Sequence, residues 1–262
     1  MQMKKQIKSL IIGTKFEKPA RSLARLLPSY RKSAGWSARV KRDEIAIDKI
    51  LEEYLNPKSN CVDVGANHGF FLRRFTEGSP SGKHFAFEAL PHLAEALKAR
   101  FPTVEVHACA LGNRNGLAAF YHVAEDEAWS GLRPQSHPNK KKPVRIEVPI
   151  RQLDELIPKK LNIDFIKIDV EGGEKDVFLG AKETIKSSRP VILFEHALIH
   201  TANYDTTSSD IYQILVERYS YRIRTVAESS FLEKQDFLRI VESSHSSEYG
   251  LDAHTNFLAM PS

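Results

Sequence analysis

The sequence predicts an α/β protein built on a doubly wound, mostly parallel sheet, and three observations carry that expectation. Short apolar runs at residues 60–64, 83–88 and 163–169 alternate with stretches of helical period. Residues 191–196 form a near-continuous apolar run, as a strand buried on both faces requires. Asp63, Glu88, Asp169, Glu195 and His196 fall at or near the carboxyl ends of these runs, where open α/β sheets place their ligands.

The first strand feeds a glycine-containing turn that opens a helix. Gly65 and Gly69 let backbone approach a ligand and point free N–H groups at it. The spacing Asp-x-Gly-x-x-x-Gly is that of S-adenosylmethionine-binding loops and differs from the G-x-G-x-x-G of dinucleotide folds. No phosphate loop of the form G-x-x-x-x-G-K-[ST] occurs. Asp63, Gly65, Ala66, Asn67, His68 and Gly69 are therefore candidate cofactor residues. In the second strand Phe85 and Phe87 alternate inward, and Glu88 closes it about twenty residues past the loop, where nucleotide folds place the acid for the ribose hydroxyls; Ala89 follows it into the site. Pro91 opens a helix to Phe101 with Leu93, Ala94 and Leu97 on one face. A third strand is expected over residues 104–112, its exit at Ala110 and Leu111 giving an apolar wall for a purine.

The strand at 163–169 enters a glycine-rich turn carrying Asp169, Glu171 and Glu174, followed by a helix over 175–186. A helix over 209–219 and end strands at 221–227 and 255–259 complete the pattern. Residues 121–148 read as a long polar insertion holding Ser130, Gly131, Leu132 and three lysines, and loops of that length in a compact domain act as lids or binding loops. At 262 residues the chain is one α/β domain plus an extension. Cys61 and Cys109 sit on strands that this topology separates, so they read as reduced, intracellular core residues and place the chain in the cytoplasm.

Charge is divided unevenly. Residues 1–42 carry twelve Lys/Arg against Glu17, a formal +11, so the remaining 220 residues carry −6 of the chain's net +5. The division marks a basic extension, 1–42, ahead of a mildly acidic catalytic body, 43–262. Within the extension Leu23, Leu26, Leu27 and Tyr30 recur at helical spacing among arginines. Such a helix suits an anionic membrane at the inner face or nucleic acid, or packs as a lid or an oligomer contact. The apolar stretch at residues 10–12 is far too short to span a bilayer.

Six segments together resemble the FkbM family of S-adenosylmethionine-dependent methyltransferases. They are Val62-Asp63-Val64-Gly65-Ala66-Asn67-x-Gly69, the Ala110-Leu111-Gly112 exit, Ser130-Gly131-Leu132, Leu153-Asp154-Glu155-Leu156, Lys167-Ile168-Asp169-Val170-Glu171-Gly172-x-Glu174 and Arg189-Pro190-x-Ile192. The resemblance implies a class I methyltransferase (Rossmann-like) fold, seven strands with an antiparallel edge hairpin, and transfer of a methyl group to a hydroxyl on a sugar or natural product. His68 and Gly173 stand at positions variable in the family, and the part after His196 carries little of its signal.

For such a reaction the residues offer Asp169, beside the cofactor loop, as the first candidate to accept the hydroxyl proton, orient the substrate or bind the cofactor's amino group, with His196 and Glu171 as further catalytic candidates and His200 a weaker one. Lys167, inside an apolar strand, is expected to pair with Glu171, Glu195 or another acid, because an unpaired buried ammonium is costly. Glu174 suits the first turn of the following helix. Asp169, Glu171, Glu195 and His196 also offer ligands to a divalent metal, a reading the sequence does not favour. The expected partner is a small-molecule or glycan acceptor. The acidic turn at 169–172 argues against a nucleic-acid partner, although an RNA-directed methyltransferase using the basic extension remains an alternative, as does a non-catalytic cofactor-binding module. No G-x-S-x-G elbow supports a hydrolase.

Overall fold

A computed structural model describes residues 34–134, 142–246 and 254–262. The amphipathic segment expected at 20–30 and the lysines at 140 and 141 lie outside the described residues. In chain order the elements are α1 (Ala34–Tyr54), β1 (Cys61–Val64), α2 (Phe70–Gly78), β2 (His84–Phe87), α3 (Pro91–Arg100), β3 (Glu105–His107), β4 (Ala110–Leu111) and β5 (Gly116–His122). A short 3-10 turn, Glu127–Trp129, precedes β6 (Val144–Arg151), α4 (Leu153–Leu156), β7 (Phe165–Ile168), α5 (Glu174–Gly180) and α6 (Lys182–Ser188). The chain continues through β8 (Val191–Glu195), α7 (Leu198–Thr201), α8 (Ser208–Tyr212), which widens into a π-type turn at Gln213–Arg218, β9 (Tyr221–Thr225), α9 (Lys234–Ser246) and β10 (Asn256–Pro261).

Seven strands form one sheet in the order β3-β2-β1-β7-β8-β10-β9. The first five are parallel, and β10 runs antiparallel to both β8 and β9. This is the doubly wound sheet with an antiparallel edge that the sequence predicts. The two-residue period of its strands sorts side chains to opposite faces. Val62, Val64, Phe85, Phe87, Ile166 and Ile168 join one apolar cluster. The intervening Cys61, Ala86, Phe165 and Leu193 join another, which α1 completes with Ile47, Ile50 and Leu51. Asp63 and Lys167 face each other across β1 and β7 in that alternate register, so both are buried in the sheet.

The expected third strand divides. Residues 105–107 pair with β2, while Ala110 and Leu111 leave that edge and pair with Ile150 and Arg151 of β6. The cause is a third apolar centre in which Ala89, Leu90, Leu93 and Ala110 meet Phe120, Val148 and Ile150. The insertion at 121–148 is correspondingly smaller than the sequence implies, because β5 and β6 form an antiparallel hairpin through 116–122 and 144–150. The expected helix at 175–186 is broken at Ala181. Gly180 packs flush on the Gly112 carbonyl, and Asp154 caps the next segment by accepting from the amides of Glu183 and Thr184 at 2.9 and 2.8 Å. Cys61 and Cys109 are free and buried. Among the described residues no helix is long and apolar enough to cross a membrane.

Candidate active site

The strand order reverses between β1 and β7, and their carboxyl ends define the site. Gly65 turns at φ 76°, and a Cβ there would collide with the carbonyl oxygen of Asp169, so only glycine lets the two loops touch. The Asp169 amide donates to the Val64 carbonyl at 3.0 Å, and the amides of Gly65 and Ala66 donate to Phe87 at 2.9 and 3.1 Å. Glu88 completes the lock: one carboxylate oxygen accepts from the Asn67 amide and the other from the Leu90 amide, each at 2.8 Å. Burial pushes its carboxyl above the ordinary carboxylate value, against those two hydrogen bonds.

These elements wall a cleft lined by Gly65, Asn67, Glu88, Ala110, Leu111 and Asp169. Each Glu88 oxygen keeps a lone pair beyond its amide contact, and Phe87, Ala89 and Leu111 give the adjoining wall an apolar face. A carboxylate beside a narrow apolar slot fits the ribose and base of a nucleoside, so the residues present suit S-adenosylmethionine.

Lys167 carries the charge balance behind the cleft. Its ammonium lies 3.3 Å from Asp169, 3.7 Å from Asp63 and 3.3 Å from the Gly65 carbonyl, under the Phe71 ring. Burial works to lower its pKa, but Asp169 and Asp63 outweigh that and hold it raised. Asp63 is pushed up to about 6, by burial ahead of the opposing attraction of Lys167. The partners of Lys167 are therefore these two aspartates, and Glu195 acts on it only as a more distant charge. Glu195 itself is pushed up to about 8 by burial and by the neighbouring carboxylates of Asp169 and Glu171.

The open side of the cleft is built from two segments remote in sequence. Glu127, Ser130 and Leu132 line it from the β5–β6 connection. Gly131 pairs with Tyr121, and the Ser130 hydroxyl accepts from the Val123 amide at 3.0 Å, folding that segment back over the strand ends. Glu171, at φ 58°, lines the cleft and meets His200 Nδ1 at 2.6 Å. Burial disfavours the His200 cation, yet the Glu171 carboxylate more than compensates and carries the imidazole up to about 10. His200 packs its ring 5.5 Å from Trp129. Tyr204 lies over the Gly172 turn with its hydroxyl toward Gly131. The cleft holds about 90 Å³. The 127–132 segment flanks its open side.

Of the residues expected in the site, Gly65, Asn67, Glu88, Ala89, Ala110, Leu111, Asp169 and Glu171 line the cleft together. Asp63, Ala66, His68 and Gly69 do not reach its wall. Asp63 and Ala66 are buried beneath the loop, and Gly69 packs against Leu97 and Phe101. His68 turns instead to Glu127, 3.4 Å away. His196 lies behind the cleft: it is buried, bonded to the Ser208 hydroxyl at 3.0 Å, and stacked on Phe237. Glu174 begins α5 and accepts from the Gly172 amide at 2.9 Å. Asp169, Glu171, Glu195 and His196 do not converge on one point. Among the described residues the set of His, Cys, Asp and Glu side chains close enough to share an ion is His92, His122 and Glu127. The sequence analysis set His200 below His196 and did not single out Glu127 or Tyr204; the contacts of His200 with Glu171, and of Tyr204 with the Gly172 turn, are visible only in three dimensions.

A seven-stranded sheet of this order, with a glycine loop after its first strand and an acid after its second, is the class I methyltransferase fold. The sequence matches the Methyltransferase FkbM domain over residues 63–223, and the chain belongs to that family. It is 30% identical over 159 residues to 2-O-methyltransferase NoeI of Sinorhizobium fredii, covering 55% of this chain and 64% of that protein. It is 25% identical over 160 residues to Methyltransferase 1 of Beauveria bassiana, covering 52% and 64%. The chain thus spans less than two thirds of the length of these relatives. A solved structure, Methyltransferase FkbM from Methylobacillus flagellatus KT, is similar at 16% identity and a TM-score of 0.48, over 78% of this chain and 44% of that one.

Proposed function

We propose that the protein is an S-adenosylmethionine-dependent O-methyltransferase acting on a hydroxyl of a sugar, a glycan or a glycosylated natural product. The observation that carries the reading is Glu88. Its carboxylate fixes the Asn67 loop while lining a cleft between that loop and Asp169. Membership of the FkbM family supports methyl transfer, and the relative named a 2-O-methyltransferase supports oxygen as the acceptor atom.

S-adenosylmethionine, when bound, supplies an electrophilic methyl group on a sulfonium. The chain has to hold, orient and deprotonate. Gly65, Asn67 and Glu88 would hold the nucleoside, with Ala110 and Leu111 against its base. Asp169 presents a carboxylate at the cleft, anchored by Lys167, and accepts the proton of the acceptor hydroxyl at Oδ. Glu171 and His200 form a second proton-holding pair on the lid side and hydrogen-bond the acceptor. The 127–132 segment, which lines the cleft, would flank the acceptor route.

Calorimetric titration with S-adenosylhomocysteine tests the cofactor half, on wild type and on Glu88→Gln. Micromolar binding, about −8 kcal/mol, is expected for wild type and a large weakening for the variant. A folded protein that binds neither cofactor form overturns the reading. Incubation with radiolabelled S-adenosylmethionine and a panel of oligosaccharides tests the acceptor, and label confined to proteins or RNA would refute the sugar.

A further inference from the structure

Three imidazoles converge on one carboxylate at the rim of the cleft. His92 stands in the first turn of α3, His122 ends β5, and Glu127 opens the 3-10 turn that flanks the site. His92 Nε2 lies 2.7 Å from Glu127 Oε1, and His122 Nε2 lies 3.9 Å from the same oxygen. His68 Nε2 lies 3.4 Å from the other oxygen, Oε2. The His92 and His122 rings pack with centroids 5.7 Å apart.

We propose that His92, His122 and Glu127 bind a divalent transition-metal ion of the zinc class, and that this ion fastens the 127–132 segment over the cleft. Zinc bonds imidazole nitrogen and carboxylate oxygen at about 2.0–2.2 Å, which in a tetrahedron sets ligand atoms about 3.3 Å apart. The separations of 2.7 and 3.9 Å straddle that value, so small side-chain rotations suffice. His122 Nε2 is buried and, among the described residues, has no hydrogen-bond partner. A metal ion would supply the partner that this buried nitrogen lacks.

His68 then plays a separate part. It sits on the oxygen that the metal would leave free and orients Glu127, as outer partners of metal-bound carboxylates do. Three protein ligands leave a fourth position to solvent. Two imidazoles and one carboxylate suit zinc, cobalt or nickel and disfavour magnesium. The three ligands belong to α3, β5 and the 127–132 segment; the last two already share the Tyr121–Gly131 backbone pair, and the ion would tie both to α3. Glu127 also lines the cleft, which ties the clamp to the ligand site.

The test uses the full untagged chain, stripped with a chelator. Titration with zinc is expected to give one equivalent bound, and cobalt(II) the visible absorption of a tetrahedral site. Millimolar magnesium should not compete. The double variant His92→Ala/His122→Ala should lose the equivalent, and His68→Ala should weaken binding about ten- to a hundredfold. Hydrogen exchange over residues 123–131 should slow on zinc addition in wild type and not in the double variant. Absence of a stoichiometric equivalent, or its survival in a folded double variant, overturns the site. Binding with unchanged exchange in that segment overturns the clamp. Neither readout depends on methyltransferase activity.

Discussion

Replacing Asp63 by Asn isolates the energy stored in the charge pair beneath the cofactor loop. Asp63 is 1% exposed, and its Lys167 partner stands at 3.7 Å, beyond hydrogen-bond length. Its pKa is about 6 in the folded chain against an ordinary 3.8. That gap is worth about 3 kcal/mol. Because the folded value lies above the unfolded one, the folded state holds the proton more tightly. The stability this provides is complete below the unfolded value and is lost as pH rises through about 6. Asn imitates the protonated acid at every pH. Wild type and Asp63→Asn should therefore be nearly equal in stability near pH 4, and the variant should be more stable by about 3 kcal/mol near pH 7. Urea unfolding of both proteins at intervals across that range measures the difference directly. A difference that does not change with pH, or a variant less stable at neutral pH, would refute the reasoning. The first would mean that the attraction of Lys167 matches the cost of burying the carboxylate, and the second that it exceeds it.

Other expected outcomes follow from the same contacts. Gly65→Ala places a Cβ against the Asp169 carbonyl at a positive φ, so it should cost several kcal/mol, on the order of 3, and abolish cofactor binding; thermal unfolding and calorimetry read the two effects. Glu171→Gln removes the charge that carries His200 up to about 10, so NMR titration should find the imidazole back toward its ordinary 6.5 and neutral at slightly alkaline pH, where wild type is charged. His196→Ala should leave a cavity beside Phe237 and lower stability by about 2–4 kcal/mol, while S-adenosylhomocysteine affinity stays near that of wild type. Unchanged stability with lost activity would move His196 back into the chemistry.

The parts of this fold that were legible in sequence are those fixed by neighbours along the chain. The 60–64 run, its glycine turn and Glu88 follow within thirty residues, and their spacing is nearly a drawing of the loop. The alternation of Phe85 and Phe87 sets which side of β2 is core, and the structure keeps it. What stayed hidden depends on partners far away. The β5–β6 hairpin was concealed because Gly116–His122 buries only Phe120 fully and its neighbours are half exposed, so its period looks like a polar loop. The split at residues 108–109 has no local cause; it follows from Ala110 and Leu111 finding β6. Lys234–Ser246 is amphipathic, with Phe237 and Val241 buried, yet its polar face dominates a short window.

The same division runs through the site. Of the residues that strand-end position nominated, Asp169 and Glu171 line the cleft and His196 does not, and the reason is geometric. His196 follows Glu195 directly, so the strand's two-residue period turns it away from Glu195's side toward Ser208 and Phe237. His200, four residues on, rides one helical turn of α7 back over the sheet and meets Glu171. A reading of strand ends gives the depth of a residue in the cleft but not its side. The side of the cleft formed by Gly65, Glu88 and Asp169 is made of strand ends and tight turns, which short sequence patterns reveal. In the proposed reaction the acceptor would meet two returning segments, 127–132 and 198–204, held by contacts such as Gly131 with Tyr121 and Asn203 with Pro134. Contacts between segments so far apart in the chain leave little local signal, so that side of the cleft is the part that sequence patterns show least.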